Sequence, residues 1–334
     1  MAKATFFFDL GPKRGMGHLR RCEALAAELA GRGWQVAGFC RDTDPGKDPT
    51  RDLAIDPRFP VSVRKPDLRA DLVVVDSYLQ PATAGLRSGG ARLATYLDWP
   101  QANPSDLIVD CNLGADPGAY AADGCPGRVL AGPDYFPVRV ALLKPAATSR
   151  GRDRSGPVRR LLVTFGGSAL RQLAERTVGE LAAAGSALEI RVLVGTLANP
   201  GNRLREAIRR LPRASLVSVG AGCDLGEHFA WADLAVSAAG LTKYELALFG
   251  VPAIILSIGD DQDKVAGKFA KAGTVRYLGR LEKLDPGAIG TAVSELAADG
   301  DARRLMCDAG RALVDGRGAA RIADEIERLM ENRG

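Results

Sequence analysis

Short apolar runs alternate with helical patterns from the start of the chain. The run "ATFFFDL" (4–10) ends before Gly11 and Pro12, which predicts a buried parallel strand. The following segment predicts a helix, because its apolar residues share one helical face and Gly31 and Gly33 end the pattern. Those apolar residues are Leu19, Cys22, Leu25, Ala26 and Leu29. Further apolar runs lie at 35–40, 71–78, 92–98 and 106–110. This alternation predicts a doubly wound α/β domain.

The same alternation starts again after the middle of the chain. The stretch 144–157 is rich in Pro, Gly, Ser and charge and has no apolar period, so it separates two halves. Runs that predict strands then follow at 159–169, 188–195, 214–220, 232–240, 252–259 and 274–279. We therefore predict two Rossmann-like domains, 1–145 and 158–315, with a cleft between them. An amphipathic C-terminal helix within 316–334 is expected to pack at the domain junction.

Composition favours a globular protein of the cytoplasm. Hydrophobic residues make up 46% of the 334 residues and charged residues 25%, which argues against disorder. The six cysteines are scattered without a C-x-x-C pair, and we interpret them as reduced thiols. The N-terminus lacks the pattern of a secretory signal, and no apolar run is long enough to span a membrane.

The net charge of +5 comes largely from one basic stretch, Arg139 to Arg160. We interpret this stretch as a solvated linker, and a contact with phosphate or an anionic surface is the alternative. No aromatic residues interleave with the basic ones, so we expect no nucleic acid partner.

His18 is a candidate base because it follows the Gly15-Met16-Gly17 turn between the first strand and its helix. Gly15 and Gly17 allow close approach of a ligand, and a helix N-terminus disfavours a protonated imidazole. A neutral histidine beside a substrate can accept a proton. The alternative is an exposed histidine that only helps to cap the helix.

Acidic and phenolic side chains stand at the ends of predicted strands. Asp76 and Tyr78 end one strand and Asp98 ends another, where a carboxylate can orient an imidazole and a phenol can donate a hydrogen bond. The alternative for each aspartate is a residue that caps a loop.

Two turns of the second half are candidate phosphate sites. One contains Gly166, Gly167 and Ser168, between a strand and a helix, where backbone N–H groups and the helix dipole favour an anion. The other is the small-residue turn from Ser237 through Ala239 to Gly240.

Thr242 and Glu245 follow that second turn and open the next helix. Glu245 could accept hydrogen bonds from both ribose hydroxyls, and the alternative is a capping box formed by Thr242 and Glu245. Asp261 and Gln262 follow another predicted strand, where an amide could hold sugar hydroxyls and helix capping is the alternative.

Two short motifs carry little weight. "GMGHLR" has Arg20 where a dinucleotide fingerprint needs a small residue, so we expect no nicotinamide cofactor. Asp42-Thr43-Asp44 matches a D-x-D pattern but has no His or Cys cluster beside it. We therefore predict neither a metal nor a cofactor.

Six motifs in order resemble one family. "GMGHLRRCEALA", "VVDSYLQ", "GPDYFPVRVAL", "TFGGSA", "SAAGLTKYELALFGVP" and "DDQ" are similar to motifs of the pseudaminic-acid pathway hydrolase and the related spore-coat polysaccharide proteins. That hydrolase releases UDP from UDP-2,4-diacetamido-2,4,6-trideoxy-β-L-altropyranose. The resemblance implies a GT-B fold, similar to that of the peptidoglycan N-acetylglucosaminyltransferase.

The resemblance also implies roles for particular residues. His18 would be the base that activates water, with Tyr78 and Asp76 as further catalytic residues, and UDP would bind mainly to the C-terminal domain without a metal. Arg21, Asp98, Tyr135 and Arg139 fall at substrate-binding positions of the N-terminal half, and the candidate residues of the second half fall at nucleotide-binding or sugar-binding positions.

The chain also departs from the family. Trp99 follows Asp98 where an acidic pair is more usual, and Asp261 stands where an asparagine is expected. A carboxylate cannot donate as an amide does, so a different sugar, or a CMP-sugar in place of a UDP-sugar, remains an alternative.

The leading hypothesis is a nucleotide-sugar hydrolase that acts in the biosynthesis of a nonulosonic acid for a surface glycan. A GT-B glycosyltransferase is one alternative, because the same fold and base can activate an acceptor hydroxyl in place of water. A catalytically inactive nucleotide-sugar-binding protein is the other alternative. The sequence leaves the oligomeric state open.

Overall fold

The computed structural model describes residues 1–10, 16–41, 53, 55–63, 69–78, 90–165, 171–195, 200–220 and 223–331. Of residues 41, 171, 260 and 261 it describes the backbone alone. The chain divides into two compact units. Unit 1 comprises Met1–Val140 and Gly316–Gly334, and unit 2 comprises Ala141–Asp315.

Unit 1 is built on a parallel sheet, which has seven strands in the part of the chain that is described, in the order β3-β2-β1-β4-β5-β6-β7. Its strands are β1 (Lys3–Asp9), β2 (Gln35–Arg41), β3 (Val61–Ser62), β4 (Leu72–Asp76), β5 (Arg92–Tyr96), β6 (Leu107–Asp110) and β7 (Arg128–Ala131). Its helices are α1 (Gly17–Gly31), α2 (Pro117–Ala122) and the C-terminal α11 (Gly318–Glu331). Helix α3 (Val140–Ser149) begins at the last residue of the first segment of unit 1.

Unit 2 contains a second parallel sheet, of six strands among the described residues, in the order β10-β9-β8-β11-β12-β13. Its strands are β8 (Arg160–Thr164), β9 (Glu189–Gly195), β10 (Ala214–Val219), β11 (Leu234–Ala238), β12 (Ala253–Ser257) and β13 (Arg276–Arg280). Its helices, besides most of α3, are α4 (Arg171–Ala183), α5 (Gly201–Arg209), α6 (Leu225–Trp231), α7 (Thr242–Phe249), α8 (Asp260–Lys271), α9 (Ala288–Ala298) and α10 (Gly300–Leu313).

The apolar runs bury the faces that their patterns predict. All five apolar residues of the α1 face are inaccessible to solvent, and every residue of β4 is buried. Each central strand needs apolar residues on both sides, because helices cover both faces of a parallel sheet. The prediction of two doubly wound α/β sheets is confirmed.

The C-terminal helix α11 packs on α1 within unit 1. Arg32, directly after α1, donates to Asp324 at 2.7 Å and to Glu327 at 2.8 Å. Gly318 begins α11 against the backbone of residue 136, where a Cβ on Gly318 would lie 2.1 Å from the Phe136 carbonyl oxygen. The end of the chain therefore completes the N-terminal unit.

The basic stretch is a solvated linker only in part, which corrects the interpretation drawn from composition. Lys144, Arg150, Arg159 and Arg160 are exposed, whereas Arg152 and Arg154 bind groups of unit 2. Arg154 is buried and donates from Nε to the Ala232 carbonyl and from Nη1 to the Phe249 carbonyl, both at 3.0 Å. Arg152 pairs with Asp233. These arginines satisfy backbone carbonyls and a carboxylate of unit 2, so the segment that contains them is part of that unit.

Candidate functional site

His18 is the second residue of α1 and lies close to the C-terminal edge of the sheet in unit 1. The helix begins at Gly17, and no side chain caps it. His18 is only 4% exposed. The alternative of an exposed histidine that helps to cap the helix is therefore wrong.

Asp76 is the last residue of β4 and the hydrogen-bond partner of the His18 ring. Strands β4 and β1 are parallel neighbours with Asp76 opposite Phe8, so Asp76 lies beside the C-terminal end of β1. His18 Nδ1 and Asp76 Oδ1 are 2.5 Å apart, and Asp76 is 1% exposed. Because a carboxylate only accepts, Nδ1 is the donor of this bond, and in the neutral form of the ring Nε2 is then an acceptor.

Arg21, one helical turn after His18, binds the two aspartates. It donates from Nε and Nη2 to Asp76, both at 2.8 Å, and from Nη1 to Asp98 at 2.7 Å. Burial opposes the charge of Arg21, but Asp76 and Asp98 outweigh it and raise its pKa well above the usual value. Burial also disfavours the charged form of Asp98, but Arg21 outweighs burial and lowers the pKa of Asp98 to about 2. Both groups are therefore ionised at neutral pH.

Tyr78 and Trp99 continue this cluster towards solvent. The Tyr78 hydroxyl donates to Asp98 at 3.1 Å, and its ring meets the His18 ring edge-on with centroids 4.6 Å apart. The Trp99 ring stacks on the Tyr78 ring, with centroids 5.5 Å apart and planes 10° apart. Desolvation and the charge of Asp98 raise the pKa of Tyr78, so its phenol stays protonated and can donate.

Four of the predicted residues therefore join His18 in one cluster of unit 1: Arg21, Asp76, Tyr78 and Asp98. Of the remaining candidates in this unit, Tyr135 lies in a 3₁₀ turn and its carbonyl accepts from the Cys111 thiol at 3.2 Å. Arg139 is half-buried, and Gly15 lies outside the described residues. The aspartates are not loop caps, because Asp76 and Asp98 bind charged and aromatic side chains.

In unit 2, a buried lysine organises the turn between β11 and α7. Lys243 is 3% exposed and its Nζ donates to the carbonyls of Ala239 and Gly240, both at 3.0 Å. Ser237, near the end of β11, is fully buried, and its hydroxyl has no hydrogen-bond partner in the part of the chain that the structure describes. The buried Lys243 side chain thus binds two carbonyls of the predicted small-residue turn.

The capping box predicted as an alternative for Thr242 and Glu245 is not formed. Helix α7 begins at Thr242, which makes Leu241 its N-cap, and no side chain caps this end. A capping box needs its hydroxyl residue at the N-cap and the glutamate three residues later. Thr242 and Glu245 are both half-buried in the first turn of α7.

The first turn of α8 contains the last predicted pair. Gln262 accepts the Ile258 N–H at 3.3 Å through its side-chain oxygen, but Ile258 precedes the N-cap Gly259, where no side chain caps α8. Asp261 is in the same turn, but its side chain lies outside the described part of the structure, as do Gly166, Gly167 and Ser168.

Sequence reasoning missed Lys243 and the partner network of Arg21. The signal for Lys243 was present, because this lysine stands in the first turn of α7, three residues after the small-residue turn. Asp9 was also missed: it ends β1, accepts the Ser77 hydroxyl at 2.7 Å through Oδ2, and its buried Oδ1 has no partner among the described residues.

Two features are absent from the described residues. They contain no helix long and apolar enough to cross a membrane. They contain no group of three or more His, Cys, Asp or Glu side chains arranged to hold a metal ion. The absence of a metal and of a cofactor stays a prediction.

Comparison with known proteins gives two informative relatives, while no family model matches the chain. The chain is 28% identical over 211 residues to the spore coat polysaccharide biosynthesis protein SpsG of Bacillus subtilis, which covers 61% of this chain and 59% of the relative. It is 33% identical over 226 residues to the UDP-N-acetylglucosamine–N-acetylmuramyl-(pentapeptide) pyrophosphoryl-undecaprenol N-acetylglucosamine transferase of Aeromonas hydrophila, which covers 65% of this chain and 58% of the relative. The matches thus span less than two thirds of these relatives.

Among solved structures, the chain is similar to the MurG protein of Acinetobacter baumannii. The TM-score is 0.66 at 16% identity, and the match covers 98% of this chain and 99% of that one. Together with the two parallel sheets of seven and six described strands, this likeness confirms the predicted GT-B fold.

Proposed function

We propose that the chain is an enzyme that transfers the sugar of a UDP-sugar donor to a hydroxyl group of an acceptor, with His18 as general base. The observation that carries this proposal is the bond from His18 Nδ1 to Asp76, which leaves Nε2 to accept a proton. The relative of A. hydrophila is by its name a transferase of N-acetylglucosamine from a UDP donor, which favours transfer over hydrolysis.

In the proposed reaction, the acceptor hydroxyl gives its proton to His18 Nε2 while its oxygen attacks the anomeric carbon. The bond from that carbon to the diphosphate oxygen breaks, and UDP leaves with the electron pair. Asp76 then faces an imidazolium ring, whose charge it stabilises while it fixes the ring orientation.

The charges of the cluster fit this proton transfer. Asp76 and Asp98 carry two negative charges and Arg21 carries one positive charge, so one negative charge remains beside the neutral His18 ring. A proton received by His18 brings the buried cluster to neutrality, which matters because charges interact strongly where water is excluded. Arg21 and Asp98 act as positioning residues in this proposal, and the Tyr78 ring contacts the base edge-on.

The nucleotide is proposed to bind to unit 2. The turn from Ser237 to Gly240 and the first turn of α7, with Thr242 and Glu245, would hold the diphosphate and ribose through backbone N–H groups and the Glu245 carboxylate. The clamp of Lys243 on the Ala239 and Gly240 carbonyls supports this, because it holds the turn in one conformation. Asp261, Gln262 and the turn at 166–168 remain predicted contacts.

Hydrolysis is the second candidate, since water can replace the acceptor hydroxyl at His18. The order of the six family-like motifs favours it, in particular "GMGHLRRCEALA" with "VVDSYLQ". The substrate would then be a UDP-linked diacetamido-trideoxy sugar of the pseudaminic type. The likeness to the spore coat protein supports a place in surface polysaccharide synthesis for either reaction.

The test is UDP release from a panel of UDP-amino sugars, with and without sugar acceptors, followed by NMR identification of products. We expect release that depends on the acceptor and falls about 10²–10⁴-fold in His18→Ala. Equal release without acceptor would decide for the hydrolase. Tight UDP binding without turnover, unchanged in His18→Ala, would refute both and leave a binding protein.

A further inference from the structure

An exposed aromatic pair adjoins the proposed base. Tyr78 is 47% exposed and Trp99 43% exposed, although large aromatic side chains are usually buried. Their rings are stacked with nearly parallel planes, and the Tyr78 ring also contacts His18. The three rings therefore form a row that starts at the base and ends at Trp99 in solvent.

The surroundings of this pair are polar. Asp98 binds the Tyr78 hydroxyl and Arg21, and its carboxylate is 21% exposed. Each carboxylate oxygen can accept more than one hydrogen bond, so Asp98 retains capacity for a ligand hydroxyl. A flat aromatic surface beside a carboxylate matches a pyranose ring, whose C–H face packs on an aromatic face while its hydroxyls donate to the acid.

We propose that Trp99 determines acceptor specificity by stacking against a pyranose ring of the acceptor. This inference rests on the proposed transferase function. The acceptor is the ligand in question because the base must lie within hydrogen-bond reach of the acceptor hydroxyl, and the aromatic row starts at that base. A long lipid chain fits less well, because Asp98 and Arg21 adjoin the aromatic pair.

The experiment measures transfer by Trp99→Ala, Trp99→Phe and the wild type with a pyranoside acceptor and an acyclic alcohol acceptor of similar size. We expect Trp99→Ala to raise KM for the pyranoside about 5-fold, since an aromatic contact contributes about one kcal/mol. KM for the donor and kcat for the acyclic alcohol should stay within about two-fold of the wild type, and Trp99→Phe should restore most of the pyranoside affinity.

Trp34→Phe provides the matched control, because Trp34 also belongs to unit 1 but follows the opposite end of α1 from His18. Pyranoside binding is followed independently by tryptophan fluorescence, with quenching expected in the wild type and in Trp34→Phe and absent in Trp99→Phe. An unchanged pyranoside KM in Trp99→Ala overturns the inference, and so does a rise in the donor KM alone, which would assign the aromatic pair to the nucleotide sugar. UDP release without any transfer refutes the transferase itself and with it the acceptor site.

Discussion

Replacing Asp76 with asparagine tests the proposed base most directly. The carboxylate accepts the proton of His18 Nδ1, whereas an amide can also donate to that nitrogen. A donating amide moves the ring proton to Nε2, where it blocks proton transfer. The substitution thus changes the tautomer of His18 with almost no change in side-chain volume.

The size of the effect follows from the geometry. Asp76 is 1% exposed and 2.5 Å from His18, so water cannot replace it as the orienting group. We expect kcat to fall about 10³–10⁴-fold, the loss that follows when a base is held in the wrong tautomer. Arg21 loses one of two carboxylate partners at the same time, so the free energy of unfolding should fall by about 3 kcal/mol.

Asp98→Asn is the matched control. It also removes a carboxylate partner of Arg21, but the Asp98 carboxylate binds Arg21 and Tyr78, and His18 keeps its bond to Asp76. We expect about a 10-fold fall in kcat or less, and a smaller loss of stability, because Asp98 is 21% exposed.

The assay combines UDP release with ¹⁵N NMR of histidine-labelled protein. The chain has two histidines, so His228→Gln assigns both imidazoles without further labelling. The wild type should show a protonated Nδ1 at His18, and Asp76→Asn a protonated Nε2. If Asp76→Asn keeps more than a tenth of the wild-type kcat, or if Asp98→Asn loses as much as Asp76→Asn, the assignment of the base pair is wrong.

Three further predictions concern stability. Arg303 is 1% exposed and donates to five backbone carbonyls, so Arg303→Met should lower the free energy of unfolding in urea by about 3–5 kcal/mol. Arg304 is exposed, and Arg304→Met should change that free energy by less than about 0.5 kcal/mol. Burial lowers the pKa of His228 below 6.5, so the unfolded state binds more protons and the free energy of unfolding falls as pH drops below about 6.5. When unfolding is followed from pH 7.5 to 5, this fall should be smaller in His228→Gln than in the wild type. An identical fall would contradict the lowered pKa. Gly318→Ala should lower the melting temperature, because the Cβ would lie 2.1 Å from the Phe136 carbonyl oxygen; an unchanged melting temperature would show that α11 can shift at no cost.

Most of the fold was accessible from the sequence because its signals are local. Apolar runs such as 4–10 and 71–78 became β1 and β4, and the apolar face of α1 was buried as predicted. The short strands β3 and β7 were not predicted, since they lie at the edges of the sheet, where a long apolar run is not required.

The sequence by itself determined where strands end, and so placed Asp76, Tyr78 and Asp98 among the candidates. It could not determine which strand ends are neighbours, because strand order depends on the packing of segments far apart in the chain. The pairing of β4 with β1 brings Asp76 to His18, whereas Asp110, which also ends a strand, instead accepts from Tyr120 at 2.8 Å.

Burial of charge was likewise decided only by the tertiary structure. A basic stretch reads as solvated in the sequence, since an arginine is almost never fully buried without partners. Arg154 is buried because carbonyls of distant segments, those of Ala232 and Phe249, converge on it. Lys243 is buried for a similar reason at the turn after β11. Periodicity reports which face of an element is apolar, whereas the partners of a polar group depend on which chain segments packing brings together.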